Sequence, residues 1–201
     1  MSSRSRNTRT KILESARELL IERGYFGVGL QEVAREAGVS RQAVYLHFKS
    51  KAELLKALVH YVDDEIGVPE IMRPVREAET GPDALDLGVA AYGVIEPQIY
   101  DVASLLYAAR RSDDAAEATW QDIMAVRRAN IRAGIVRLQE EGSLAANWTV
   151  DEATDFAWTL LSVHTYEYLV VERKWAIDRF VEHLRSTLRE ILVTQADDDH
   201  E

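Results

Sequence analysis

Arg41, Gln42, Tyr45 and His47 fall within seven residues and are followed by Lys51, in the stretch GVSRQAVYLHFKSKAELL that starts at Gly38. Guanidinium and carboxamide groups can form paired hydrogen bonds to base edges in the major groove of DNA. Small or apolar side chains, here Ala43 and Leu46, suit a thymine methyl group. Tyr and His reach phosphates or bases, and Lys is a point charge for phosphate. Catalytic chemistry has few candidates beside this. The five histidines (His47, His60, His164, His183, His200) show no metal-ligand spacing, and there is no cysteine. The adjacent carboxylates Asp63-Asp64 and Asp113-Asp114 point apart on a helix or at a cap. No zinc-binding helix, phosphate loop or nucleophile elbow occurs. The residues therefore point to binding and not to an enzyme, with no cofactor and no metal.

Such side chains need a scaffold that turns them outward. A seven-residue helix is marginal alone, so neighbours must hold it. Strand signals are nearly absent, and apolar residues recur at helical spacing throughout. Ile12, Ala16, Leu19 and Leu20 form one face of a first helix, ended by Gly24. A second runs from near Leu30 to Ala37, with Gly29 as N-cap and Glu32 three residues on. Gly38-Val39-Ser40 is a tight turn, and Ser40 caps a short third helix over 41–47. Ser50-Lys51-Ala52-Glu53 is a capping box opening a fourth helix, which carries Leu54, Leu55, Leu58 and Val62. Two short helices joined by a Gly-containing turn make the helix-turn-helix pattern. Val33, Ala34, Val39 and Val44 are its inward residues, and Phe48 is a core aromatic.

The second half continues as helices. Pro69 and Pro74 make 67–80 a loop or irregular connector. Thr80-Gly81-Pro82-Asp83 opens a fifth helix, and Glu96-Pro97 divides it from a sixth at roughly 97–110. A seventh runs from Asp114 to Glu141 and stops at Gly142. The capping box Thr149-Val150-Asp151-Glu152 opens an eighth, to about Arg173, and a ninth runs from about 176 to 194. The fold class is all-α with about nine helices: a three-helix helix-turn-helix head joined by a fourth helix to a helical-bundle effector and dimerisation domain. The domain reading is 1–50 for the head, 51–66 for the connecting helix and 67–201 for ligand binding and dimerisation.

Charge supports the division. The 201-residue chain carries a net charge of −10, but residues 1–60 hold eleven Lys/Arg against six acids. That is +5 on the head and −15 on the rest, a distribution that suits a polyanion at one end. Arg4, Arg6 and Arg9 are placed to follow a backbone or a minor groove. The first ten residues, MSSRSRNTRT, lack the apolar run of a signal peptide. No apolar stretch approaches the roughly 20 residues of a membrane span. With no cysteine for disulfides, a soluble cytoplasmic protein without a membrane partner is expected.

Residues 8–60 resemble the DNA-binding domain of the TetR family of transcriptional regulators, over about a quarter of the chain. The matching pieces are VAREAGVS, VYLHFKSK and ELL, at the family spacing. The resemblance implies an all-α homodimer with an N-terminal helix-turn-helix and a C-terminal effector domain, most often a ligand-responsive repressor. By position it implies DNA contacts from Gln31, Ser40, Arg41, Gln42, Ala43, Tyr45, Leu46 and His47, with Lys51 on phosphate. One departure is visible: Val28-Gly29-Leu30 stands where the family usually has Thr or Ser. A Gly cap loses the hydroxyl at a cost of only a few tenths of a kcal/mol, and with it one phosphate contact.

For the remainder the resemblance implies a ligand cavity lined by the fifth to eighth helices. Candidate lining residues are Tyr92, Tyr100, Tyr107, Trp120, Met124, Phe156, Trp158 and His164, with Arg127, Asn130 and the Tyr hydroxyls as further polar groups. Aromatic walls with polar tips suit an apolar or aromatic small-molecule effector, although such stripes also serve as plain core. The last two helices carry broad apolar stripes, and Leu160, Phe180, Leu184 and Leu188 are candidate dimerisation residues. A two-fold dimer would set two reading helices about 34–36 Å apart, matching a palindromic operator in double-stranded DNA. A helical interaction module controlled by a partner protein is the alternative.

Overall fold

The structure, a computed structural model, describes residues 3–194, with side chains from Arg6 onward. The Arg4 side chain, His200 and the acidic end lie outside the described residues. The described chain is helical, apart from an isolated bridge between Leu144 and Val193. The helices are α1 (Ser3–Arg23), α2 (Leu30–Glu36), α3 (Arg41–His47), α4 (Lys51–Ile66), α5 (Val68–Ile71), α6 (Arg73–Glu77), α7 (Gly81–Ala109), α8 (Asp114–Glu140), α9 (Val150–Leu160), α10 (Val163–Tyr166) and α11 (Ile177–Leu192). A π-helical turn, Glu167–Glu172, follows α10 directly.

Two compact units divide the chain. One comprises residues 1–66 and 98–123, the other 67–97 and 124–201. The units interleave in sequence, where the sequence suggested contiguous domains. α7 and α8 each contribute one part to each unit.

The first unit is built around the apolar face of α1. Ile12, Leu13, Ala16, Leu19 and Leu20 are buried, and Gly24 closes the helix with φ +71° and an N–H bond to the Leu20 carbonyl at 2.8 Å. Val33 and Ala34 of α2 pack inward, as do Val44 of α3 and Phe48 behind it. Gly38, at φ +63°, turns the chain between α2 and α3, where a Cβ would be strained. The Ser40 hydroxyl accepts from Ala43 N–H at 3.1 Å and starts α3. Gly29 has no side chain, yet half a capping box survives, since the Glu32 carboxylate accepts from Gly29 N–H at 2.9 Å. At α4 the box is offset: Ser50 Oγ caps Glu53 N–H, while the Glu53 carboxylate takes the N–H of Lys49.

The second unit departs from the sequence reading in three places. Segment 67–80 holds two short helices, α5 and α6, started by Gly67 at φ +70°. The prolines sit at early helical positions, where the missing N–H costs nothing. Pro97 does not end its helix: α7 runs through it, and the Gly93 carbonyl receives no bond from residue 97. Gly93 itself permits a close approach, because a Cβ there would stand 2.3 Å from Val181 Cγ2 of α11. The expected eighth helix is broken after Leu160. Ser162 recaps the chain through Thr165 N–H, and Thr165 Oγ1 bonds the Thr159 carbonyl at 3.0 Å. Hydroxyls competing for backbone groups explain the interruption. Lys174, at φ +59°, ends the π-turn. α11 buries Phe180, Leu184, Leu188 and Leu192 along one face, and the Trp148 indole N–H bonds the Ile191 carbonyl at 2.9 Å.

Candidate nucleic-acid interface and a buried polar site

α3 is anchored by few side chains and presents many. Val44 is fully buried and Phe48 nearly so, which fixes the helix's rotation. On its other face Leu46 is 78% exposed and Tyr45 50% exposed. Arg41 and Gln42 are exposed as well, with Ala43 and His47 half-buried. A leucine this exposed gains nothing for the fold, while a row of Arg, Gln, Tyr and Leu fits the groove chemistry of base edges and methyl groups. Ser40, which caps α3, and Gln31 at the start of α2 are also exposed. Of the proposed reading residues, Gln31, Ser40, Arg41, Gln42, Tyr45 and Leu46 are thus exposed.

Arg9 turns inward from α1, its guanidinium 5.5 Å from the centre of the Phe48 ring. Lys51 also faces inward. Its Nζ donates to the Tyr25 carbonyl at 2.6 Å and the Val28 carbonyl at 3.0 Å, and lies 4.0 Å from the Tyr25 ring centre. Burial pulls its pKa below the usual lysine value, against the opposing pull of Asp113 and Glu32. The ammonium expected on phosphate is thus occupied in tying down the turn between α1 and α2. Tyr25 is buried, and its hydroxyl donates to Asp113 at 2.5 Å. Burial first, then Asp113, raises the phenol's pKa well above the ordinary range. Asp113 also caps α8, accepting from Ala115 and Ala116 N–H. The Tyr25 hydrogen bond, followed by these backbone bonds, holds its carboxyl below the usual range despite partial burial. Lys56 adds an ion pair with Asp122 at 2.8 Å. Tyr25 and Asp113 were not evident in the sequence, because they lie 88 residues apart.

The aromatic candidates are divided between the two units. In the first unit, Tyr107 and Trp120 stack edge to face at 5.1 Å, and the Arg110 guanidinium covers both rings. Tyr100 also belongs to that unit. In the second unit, Tyr92 packs on Phe180 at 6.1 Å, and Phe156 on Trp148 at 5.3 Å. Met124 and Trp158 are half-buried there, and His164 stands beside Glu167 at 3.8 Å. Asn130 is exposed.

A residue the sequence reading passed over organises the second unit. Glu96 is fully buried, and its Oε2 accepts from Arg127 Nη2 at 3.0 Å. The same Arg127 nitrogen donates to the Leu161 carbonyl at 3.1 Å, and the Tyr92 hydroxyl donates to the Ser162 carbonyl at 3.0 Å. Both carbonyls lie at the break after α9. Burial drives the Glu96 carboxyl above the usual carboxylate range, and Arg127 only partly offsets this. The sequence signal was a lone acid in the apolar run AAYGVIEPQIY.

The proposed dimerisation residues differ in exposure. Phe180 and Leu188 are 0% exposed, and Leu184 is buried. They pack in the core of the second unit. Leu160 is half-buried and lines a shallow apolar groove of about 260 Å³ with Leu169, Trp175 and Phe180. Among the described residues no group of three or more His, Cys, Asp or Glu could hold a metal ion. No described helix is long and apolar enough to cross a membrane.

Residues 12–58 match the family model of bacterial regulatory proteins, tetR family. The match to this family covers the helix-turn-helix head. The transcriptional activator FasR of Mycolicibacterium smegmatis is 42% identical over 67 residues, covering 32% of this chain and 31% of that protein. The repressor AcnR of Corynebacterium glutamicum is 27% identical over 165 residues, 77% of this chain and 78% of that protein. The likeness of fold extends over most of the chain. FadR of Bacillus subtilis, solved in complex with stearoyl-CoA, superposes with a TM-score of 0.74 at 18% identity, covering 90% of this chain and 98% of that one. The first curated relatives align over less than half of their own length, 31% and 43% for two of them. The head thus carries most of the sequence likeness.

Proposed function

We propose that this protein is a TetR-family regulator of transcription that binds DNA sequence-specifically, a ligand-responsive repressor that acts as a homodimer on a palindromic operator. One observation carries the reading: α3 is locked by Val44 and Phe48 and turns Arg41, Gln42, Tyr45 and Leu46 outward together. Residues 1–50 are the reading head, 51–66 its connecting helix, and 67–201 the effector and dimerisation region. Gln31, Ser40, Ala43 and His47 complete the DNA-facing set, and Lys51 acts by holding the turn beneath it. Repression is favoured over activation because AcnR, a repressor, aligns along most of the chain, while FasR aligns over the head alone.

Dimerisation falls to the outer face of α9, the π-turn and α11, where Leu160, Leu169 and Trp175 edge the apolar groove and Tyr168 is 58% exposed. The effector is a small molecule taken up by the second unit, in line with the ligand bound by FadR. The protein works in the cytoplasm, where its DNA is.

Selection of duplexes from a random pool, followed by titration at several salt concentrations, tests the proposal. A palindromic consensus whose affinity falls steeply with salt is expected. No enrichment at low salt, before and after refolding to strip any bound ligand, would remove it.

A further inference from the structure

Three buried polar atoms among the described residues have no hydrogen-bond partner: Asp86 Oδ1, Glu96 Oε1 and Arg110 Nε. Two have an evident account. The other oxygen of Asp86 pairs with exposed Arg189, and the Arg110 guanidinium lies over Tyr107 and Trp120 while Nη1 meets Glu117. Glu96 does not. Its carboxylate is wholly buried with one oxygen answered and one bare. A bare charged acceptor in a dry interior is among the costliest groups a fold can keep.

The surroundings define what would answer it. Two nearby donors are engaged: Tyr92 O–H goes to the Ser162 carbonyl, and Arg127 Nη2 divides its protons between Glu96 Oε2 and the Leu161 carbonyl. That leaves Glu96 Oε1 without a donor, near two carbonyls at a broken helix that each already accept one hydrogen bond, in a unit whose core is aromatic. Phe180 lies 6.1 Å from the ring centres of both Tyr92 and Tyr166. An acceptor oxygen attracts a cation, and a charged donor makes about twice the hydrogen bond of a neutral one. Solvent reaches the pair from the side of Arg127, whose side chain is 25% exposed. The break after α9 and the π-turn beyond it are the kind of helix irregularity that accompanies functional sites.

We propose that Glu96 Oε1 is the anchor of an effector that carries a protonated amine, bound between α7, α8 and the break after α9. The inference rests on reading the second unit as the effector region. Glu96 is kept at the expense of the unliganded fold so that an ammonium completes its coordination. Glu96→Gln keeps the shape, removes the charge and brings an N–H₂ of its own.

The test uses the full chain with phenethylammonium and butylammonium as probes and phenethyl alcohol as the neutral counterpart, read by thermal unfolding and calorimetry. The amines are expected to raise the Tm of the wild type, and the alcohol to leave it unchanged. Glu96→Gln should weaken amine binding by about tenfold or more and melt higher than the wild type without probe. A Gln variant that melts lower than the wild type without probe would overturn the proposal. So would an amine effect that is absent, equal in both proteins, or matched by the alcohol. DNA selection with unliganded wild type is read separately. An enriched palindrome without an amine response removes the amine and leaves the regulator standing, and an amine response without enriched DNA does the reverse.

Discussion

Lys51→Met separates two roles for one lysine. On phosphate, Lys51 would matter to DNA and not to the fold. In the structure its ammonium instead bridges the Tyr25 and Val28 carbonyls at 2.6 and 3.0 Å and sits 4.0 Å over the Tyr25 ring. Hydrogen bonds to a charged group contribute about 1.5–3 kcal/mol each, and a partly exposed cation–π contact about 0.5–1 kcal/mol. Lys51 is half-buried, so water can replace part of this, and the low end applies. Methionine keeps the apolar stem and loses the donors, so the expected loss is about 2–4 kcal/mol. Urea unfolding of the full chain measures it. The companion assay is the slope of log affinity against log salt on the selected duplex. A phosphate contact contributes about 0.9 to that slope. The expectation is lower stability with an unchanged slope. Stability held within about 0.5 kcal/mol, with the slope reduced by about one, would refute the assignment and return Lys51 to the phosphate.

Other perturbations address the remaining parts. Leu46→Ala should leave stability within about 0.5 kcal/mol, because the side chain is 78% exposed, while discrimination at one base position of the selected site falls; unchanged selection profiles would count against α3 as the reader. Ser40→Ala removes the cap on Ala43 N–H and should cost about 1 kcal/mol, measured by denaturant unfolding, with Ser40→Asp restoring it. Gly93→Ala drives a Cβ to 2.3 Å from Val181, an overpacking worth about 1–3 kcal/mol, and adding Val181→Ala should recover most of it. For Glu96, burial raises the folded pKa above the unfolded one. The wild type therefore gains from protonation at low pH and loses that contribution as pH rises through the folded value. The stability advantage of Glu96→Gln should be smallest below about pH 4.5 and grow upward from there; a gap that is flat across pH would refute a shifted titration at this residue.

The head was legible because each local signal agrees with the tertiary one. Gly24 and Gly38 stand where the backbone needs positive φ, Ser40 caps where α3 begins, and the buried positions of α1 recur at helical spacing. The second half was legible as helices and less so at their ends. Pro97 reads as a stop, yet a long apolar helix outweighs one missing N–H. The Leu160–Ser162 break leaves only a scatter of hydroxyls in the sequence, and those appear equally in unbroken helices. The stripe on α11 gave the buried face correctly but not what covers it. Phe180 and Leu188 are covered by their own chain, which a periodicity cannot distinguish from a partner.

Lys51 and Glu96 mark the limit for charged residues. Both were visible as residue types, and the structure gives each a meaning set by distant backbone. The Lys51 partners lie 23 and 26 residues away, and the Glu96 partner 31 away. A basic residue at a helix start in a basic head is read as a phosphate contact because charge is the only property the sequence displays. Its partners are carbonyl oxygens, which every residue has, so no side chain announces them. The acid is the reverse case. Its one ionic partner, Arg127, has a counterpart in the sequence, while the missing second donor has none in the described structure. That mismatch is informative, since a fold selected for stability alone would replace the pair with apolar side chains at little loss or some gain. Retaining a half-answered carboxylate against that pressure is physically sensible if something outside the chain supplies the other half, and the unliganded stability of Glu96→Gln measures this without knowing what that something is.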